Sequence, residues 1–355
     1  MQQQKTKKVD YLIVGQGLAG SILAYFLIGR GQAVHLFDKN HAGSSSKVAA
    51  GLMNPITGRR FVKSWMVDEI FPFAIKTYRA IESQFGIQIY QEREIVRALF
   101  SKQEENQWDE RSSIDSYADF MNSHPEVDMI QSMTKKPFSW GGLKKAGQVD
   151  IPVLLETLQK YFLEEDCLSL TGFDYNDLKW DDQKITYQNF EANKIIFCEG
   201  HQARFNPWFS DLPFVPSKGE MLEIQLPEHS LKPVVKHHSY LVPIKQERYW
   251  VGSTYEWEDL TEAPSEKGRQ TLVTALDKML STTYTIINQH AAIRPTVKDR
   301  RPFIGIHPAN SRLCIFNGLG TKGTSLAPFW SNAFCDYLLK GKPISEEVNI
   351  ARYMK

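Results

Sequence analysis

Gly15-Gln16-Gly17-Leu18-Ala19-Gly20 has the spacing G-x-G-x-x-G. After a strand and before a helix, each glycine has its own task. Gly15 makes the tight turn, Gly17 lets backbone approach a pyrophosphate, and Gly20 lets the helix lie against the strand. The free N–H groups that open the helix then favour phosphate oxygens. Asp38 follows eighteen residues after Gly20. It is placed to accept hydrogen bonds from ribose hydroxyls, and an acid there disfavours a 2′-phosphate. The chemistry is dinucleotide binding, and the motif alone leaves FAD and NAD open. A glycine-rich turn without nucleotide is the bland alternative.

Arg294 is the second residue whose setting suggests chemistry. It lies between an apolar run and Pro295, which predicts a largely buried guanidinium in need of a partner. A substrate carboxylate supplies one through a bidentate pair; a structural salt bridge is the alternative. His237-His238 resembles a metal pair, but neighbours on a strand point to opposite faces, and no metal is expected. No second G-x-G-x-x-G stands in a strand–helix setting. Electrons are therefore expected from the substrate, not from NAD(P)H, with oxygen as the expected acceptor and a protein or quinone acceptor left open.

These residues need elements to hold them. Tyr11–Val14 reads as a buried parallel strand, Leu18–Gly29 as a helix stopped by glycine, and Ala33–Phe37 as a second strand. Ser44–Gly58 reads as a long loop beside a ligand. Helices are expected over Val67–Phe85, Ile151–Leu163, Thr271–Leu280 and Thr324–Leu339, and a small meander over Leu168–Tyr187. Lys194–Cys198 and Leu313–Phe316 read as buried strands. Residues 219–226, 234–244, 248–255 and 284–293 read as strands of the antiparallel kind. Parallel signals at the start, middle and end enclose antiparallel ones, so the chain crosses between two units several times.

The 355 residues allow two domains or one large interleaved unit. With 42 basic and 41 acidic residues, no field of one sign points to nucleic acid or an anionic membrane. Cys167, Cys198, Cys314 and Cys335 form no C-x-x-C pair. This favours a reducing, cytoplasmic setting. Lys5, Lys7 and Lys8 before the apolar Tyr11–Ile28 mimic a targeting segment, but Asp10 and the three glycines speak against a membrane span.

Several later segments carry a resemblance. Ser45-Ser46-Lys47-Val48-Ala49-Ala50-Gly51-Leu52-Met53 resembles the flavin-facing loop of the glycine oxidase, sarcosine oxidase and D-amino-acid oxidase family. Lys218-Gly219-Glu220 resembles its K/R-G-E step. Tyr240-Leu241-Val242-Pro243 and Val251-Gly252-Ser253-Thr254 resemble its Y-x-x-P and V-G-x-T strands. Ile293-Arg294-Pro295-Thr296, with Asp299, Pro302 and Gly305, resembles its R-P-x-T-x-D-x-x-P-x-I-G signature. Asn317–Gly323, ending in Leu326-Ala327-Pro328, resembles its closing flavin loop. The matches run in the family's order from end to end.

The resemblance implies an α/β protein, with a Rossmann-like FAD-binding domain (1–70, 149–213, 294–355) interleaved with an α+β substrate domain built on an antiparallel sheet (71–148, 214–293). It implies non-covalent FAD, since neither flavin loop carries the tethering residue. Beyond the glycine motif, the implied flavin contacts are Asp38, Lys39, Ser46, Ala49, Ala50, Gly51, Leu52, Phe173, Gly200, Arg294, Gly318, Gly320, Thr321, Lys322, Gly323 and Thr324. Arg294 and Tyr240 would bind a substrate carboxylate, and Tyr255 would line the pocket. The reaction implied is dehydrogenation of a C–N bond in an amino acid or secondary amine, by hydride transfer to flavin N5. Lys322 and the helix start beside it would stabilise negative charge near flavin N1 and O2. Asn54–Arg60 and Thr321 depart from typical glycine oxidases and speak against glycine itself. Arg59 and Arg60 read as solvated cations more readily than as contacts to an anionic substrate. Two other functions stay open: oxidation of a modified wobble uridine in tRNA, and flavin binding without turnover. Oligomeric state is not legible.

Overall fold

The computed structural model describes residues 6–41, 43–227, 231–245 and 247–354. The strand Lys7–Val14 is exposed at its basic start and buried over Tyr11–Val14, as a strand entering the middle of a parallel sheet must be. It pairs in parallel with Val34–Phe37 on one side and Phe190–Phe197 on the other. Leu168–Ser169 extends the first edge, in parallel with Val34–Phe37. Asn310–Asn317 runs parallel to the end of Phe190–Phe197, and Phe303–His307 closes that edge in antiparallel fashion.

Both faces of this sheet are apolar, so neighbours along each strand enter different cores. Tyr11, Ile13, Leu36, Ile196 and Cys314 pack with residues of the helices Leu18–Ile28, Ile151–Glu164 and Gly323–Lys340. Leu12, Val14, Phe37, Ile195 and Ile315 pack on the other side with Phe209, Leu212 and Phe173. The helix Val67–Phe85 joins the first core, where Tyr78 Oη donates to the carbonyl of Thr324 at 2.6 Å.

The second sheet has the order Thr285–Arg294, Ser217–Gln225, Arg248–Gly252, Tyr240–Pro243, Val234–Lys236, Ile95–Leu99, Ser139–Leu143, Met121–Asn122. Its ladders are antiparallel except for Val234–Lys236 with Ile95–Leu99. Strand alternation again sorts the side chains. Val96, Leu222, Ile224, Val235, Leu241 and Val251 face the helix Glu266–Met279 and its Leu272, Leu276 and Met279. The opposite face presents Ser217, Gly219, Met221, Tyr240, Trp250, Gly252, Ala292 and Arg294 to a cleft between the two sheets. The expected pairing of a Rossmann-like sheet with an antiparallel one is what the fold contains.

Four local expectations need correction. Ser44–Gly58 is not one loop. It holds a single helical turn, Ser45–Val48, and the strands Leu52–Met53 and Ile56–Thr57. Two-residue bridges satisfy buried backbone groups but are too short to carry a periodic signal. Residues 234–244 form two strands, because His237 and His238 lie in the turn between them and the His237 N–H donates to the Ser239 carbonyl. Leu168–Ser169 belongs to the parallel sheet and not to the meander that follows it. The helix expected from Thr271 begins at Glu266, where the Ser265 Oγ cap accepts from the Gly268 N–H at 3.0 Å.

Candidate active site

The cleft has a volume of about 1760 Å³. At one end lies the turn between Lys7–Val14 and Leu18–Ile28. Gly15 has φ +104°, and a β-carbon at Gly20 would sit 1.8 Å from the Gly15 carbonyl oxygen. The helix can therefore lie this close to the turn only without a side chain at Gly20. The N-cap residue Gly17 supplies no side-chain cap and the first turn holds no acid, which leaves the helix dipole available to an anion. Ser46 Oγ accepts from the Leu18 N–H at 3.1 Å. The Asp38 carboxylate accepts from the N–H groups of Gln16 (2.7 Å) and Asn40 (2.5 Å), which fixes it at the rim of the same pocket.

At the other end the antiparallel sheet supplies the wall. Arg294 Nη1 donates to the Lys218 carbonyl at 3.2 Å and lies 3.5 Å from Ser217 Oγ; Nη2 donates to Ser253 Oγ at 2.6 Å and to the Thr254 carbonyl at 3.0 Å. All four partners are neutral, and no carboxylate among the described residues pairs with this cation. Burial draws its pKa below the ordinary arginine value. The Tyr255 ring lies 4.5 Å from the Arg294 guanidinium carbon and stacks on Trp257, and both rings are exposed at the mouth. Tyr240 Oη accepts from Asn54 Nδ2 at 3.0 Å, and burial raises its pKa.

Contacts across the cleft hold the two walls in register. Trp250 Nε1 donates to the Val48 carbonyl at 3.0 Å, and Gln148 Nε2 reaches the carbonyls of Ala50 (3.3 Å) and Pro243 (3.0 Å). Behind the wall, Lys218 is 1% exposed and pairs with Asp259 at 2.6 Å. Glu220 accepts from Ser265 and Gln289. Lys218 and Glu220 thus point away from the cleft and anchor the 256–265 segment, while Gly219 between them faces Arg294.

Residues 10–336 match the model of the family described as DAO, FAD dependent oxidoreductase. The chain belongs to the DAO family of FAD-dependent oxidoreductases. A glycine oxidase from Bacillus subtilis is 24% identical over 95% of each chain. The tRNA 5-methylaminomethyl-2-thiouridine biosynthesis bifunctional protein MnmC of Leptospira interrogans is 23% identical over 96% of this chain and 59% of its own. Among solved structures, glycine oxidase from Geobacillus kaustophilus superposes with a TM-score of 0.82 at 19% identity, covering 98% of each chain.

As a DAO-family protein the chain uses FAD, and its residues fit that group. The acid-free helix start, the fixed Asp38 carboxylate and the serine-rich turn at Ser44–Ser46 suit the nucleotide half. The loop Gly318–Thr324 also lines the cleft. Every expected flavin contact lines the cleft except Gly20, which packs beneath the turn against Gly15. Arg294, Tyr240 and Tyr255 all reach the cleft as well.

Lys322 is the residue before the helix Gly323–Lys340. Its Nζ donates to Ser64 Oγ at 3.0 Å, and burial, then Arg301 and Arg300, hold its pKa below the usual lysine value. Ser64 in turn donates to the Asn54 carbonyl. Ser64 and Ser217 were not singled out from sequence, and Asn54 and Ser253 were named only inside longer stretches, with no role of their own. Each is a small polar residue in a loop or at a strand end, with no motif of its own. Among the described residues no group of three or more His, Cys, Asp or Glu could hold a metal ion, and no helix is long and apolar enough to cross a membrane.

Proposed function

We propose that the protein dehydrogenates the C–N bond of an amino acid or secondary amine that carries a carboxylate, with oxygen as final acceptor. The observation that carries this reading is Arg294: a half-buried cation in the cleft wall whose partners are all neutral. Two of those partners are backbone carbonyls that pin the guanidinium. The other two are serine hydroxyls, which a carboxylate can replace or recruit as further donors.

Bound FAD supplies a hydride acceptor at N5. The chain's own residues place the substrate. Arg294 takes the carboxylate, and Tyr240 Oη, held by Asn54, donates to the same group. The amine must be neutral so that its lone pair assists loss of hydride from the adjacent carbon. Positioning and electrostatics then carry the rate. Lys322 and the uncapped helix start behind it offer positive potential to the flavin side of the cleft. The two-unit division given above, non-covalent FAD and a cytoplasmic location belong to this reading; the four free cysteines support the last.

Anaerobic mixing with carboxylate-bearing amines tests it. The yellow flavin band is expected to bleach with at least one, and to bleach far more slowly in Arg294→Met. A protein whose flavin no amine reduces is a binding protein without turnover, and the proposal falls. The exposed Tyr255–Trp257 stack at the mouth suits a base platform, which keeps a modified-tRNA substrate as second reading. Bleaching by modified tRNA but by no free amine decides for it.

A further inference from the structure

Two cations lie beyond Tyr240 on the cleft face of the antiparallel sheet. Tyr240 is paired directly with Lys236, and Lys236 directly with Arg97, so the three side chains stand on one face in one row. Their strand neighbours Val235 and Val96 enter the opposite core. Lys236 Nζ lies 4.6 Å from the centre of the Tyr240 ring. Arg97 donates from Nη1 to the Gly58 carbonyl at 3.1 Å, and its guanidinium carbon lies 4.7 Å from the Phe61 ring centre. Neither cation pairs with a carboxylate among the described residues. Arg59 and Arg60, the cations that sequence reading considered, are exposed instead.

Like charges directly opposite on neighbouring strands oppose folding, and half-buried cations need a counter-charge. Burial draws both groups below their ordinary pKa values, Lys236 to about 8; repulsion from Arg97 adds to the shift of Lys236, while Tyr240 and Glu104 partly offset that of Arg97. Of the row itself only Tyr240 lines the cleft; Asn54, Thr57 and Gly58 bring the cleft wall up to the two cations, which stand directly behind Tyr240 and Gly58. Adjacent strands are about 4.8 Å apart, so the cations stand roughly one and two such steps past Tyr240. A side chain of a few carbons spans that interval.

We propose that Arg97 and Lys236 form an anion subsite for a second carboxylate, so that the preferred substrate is a dicarboxylic amino or imino acid. The inference rests on the reading that the first carboxylate binds Arg294. It assigns specificity to two residues that touch the substrate's far end and leaves the reacting carbon to the machinery already described.

The test uses FAD-loaded protein and calorimetric titration with glutarate and with butyrate, its monocarboxylate counterpart. Wild type is expected to bind glutarate at least tenfold more tightly. Lys236→Met and Arg97→Met are expected to reduce that preference to within about twofold while butyrate binding stays unchanged. The same preference is expected in flavin bleaching by both enantiomers of glutamate against glutamine, a comparison that needs no variant. Equal binding of glutarate and butyrate by wild type overturns the subsite, as does a preference that survives both substitutions. If either overturning result comes with butyrate binding that Arg294→Met abolishes, the subsite alone falls and the proposed function stands. If neither ligand binds and no amine bleaches the flavin, the proposed function falls with it.

Discussion

A β-carbon added at Gly219 would lie 1.8 Å from Nη2 of Arg294. The guanidinium therefore lies across the bare backbone of Gly219, and that path brings it to Ser253 and Thr254 on the neighbouring segment. The two residues lie on paired strands, Ser217–Gln225 and Thr285–Arg294, where Arg294 is opposite Ser217 and Gly219 is opposite Ala292. Gly219→Ala is expected to keep bound FAD but displace Arg294. Overpacking of this kind costs about 1–3 kcal/mol, so carboxylate inhibitors should weaken by roughly tenfold or more. Their titration against the flavin absorbance spectrum measures this, and an unchanged affinity shows that Arg294 does not need the gap.

Arg294→Met is expected to retain FAD, since the motif at Gly15–Gly20 is untouched. Loss of a buried charge partner should weaken carboxylate ligands by about 2–4 kcal/mol. Arg294→Lys should recover little, because an ammonium cannot keep two carbonyl contacts and a bidentate carboxylate together. Recovery of wild-type affinity in the lysine variant would show that charge alone suffices.

How much of this was legible in the sequence depends on what each residue answers to. The βαβ start was readable because three glycines and one acid serve a single local geometry at fixed spacing. Arg294 was readable because an arginine between an apolar run and a proline has few outward routes. Asn54, Ser217 and Ser253 were not, since each acquires its role only when distant segments meet. Arg97 and Lys236 were missed for a related reason. They lie 139 residues apart, and only the parallel ladder between Ile95–Leu99 and Val234–Lys236 makes them neighbours. The turn at His237–Ser239 hid that ladder, because a strand read through it carries Lys236 and Tyr240 on one chain direction instead of two. Asp38 lies at the cleft rim, but two backbone N–H groups already occupy its oxygens, which no spacing shows.

Gly20→Ala tests the cradle independently of the substrate. The new β-carbon would meet the Gly15 carbonyl oxygen at 1.8 Å, and backbone cannot yield there without opening the turn. The helix Leu18–Ile28 should shift away and the protein should purify largely colourless. Its affinity for added FAD, followed by quenching of flavin fluorescence, should fall at least tenfold, about 1.4 kcal/mol. Full flavin occupancy would mean that helix–strand approach does not set the site.

Glu199 gives the fold a pH dependence of known sign. It follows the strand Phe190–Phe197 and lines the cleft. Tyr175 Oη and Asn206 Nδ2 both donate to its carboxylate. Burial outweighs these hydrogen bonds and raises its pKa from 4.5 to about 7. A carboxyl held above its unfolded value contributes stability that is fully present below pH 4.5 and lost as pH rises through about 7. The full effect is roughly 3 kcal/mol. His35, His201 and His237 pull the other way: each is lowered to about 4, chiefly by burial, so their contribution grows as pH rises toward 6.5. The raw pH profile therefore mixes opposing terms, and the difference between wild type and Glu199→Gln isolates one of them. The variant carries a pH-independent loss, because an amide has one acceptor oxygen where the carboxylate accepts from both Tyr175 and Asn206. Urea unfolding at pH 5 and pH 8, at saturating FAD, should show wild type losing more stability than Glu199→Gln over that interval. Parallel pH profiles for the two proteins would mean that this carboxyl ionises at its ordinary pH in the folded chain.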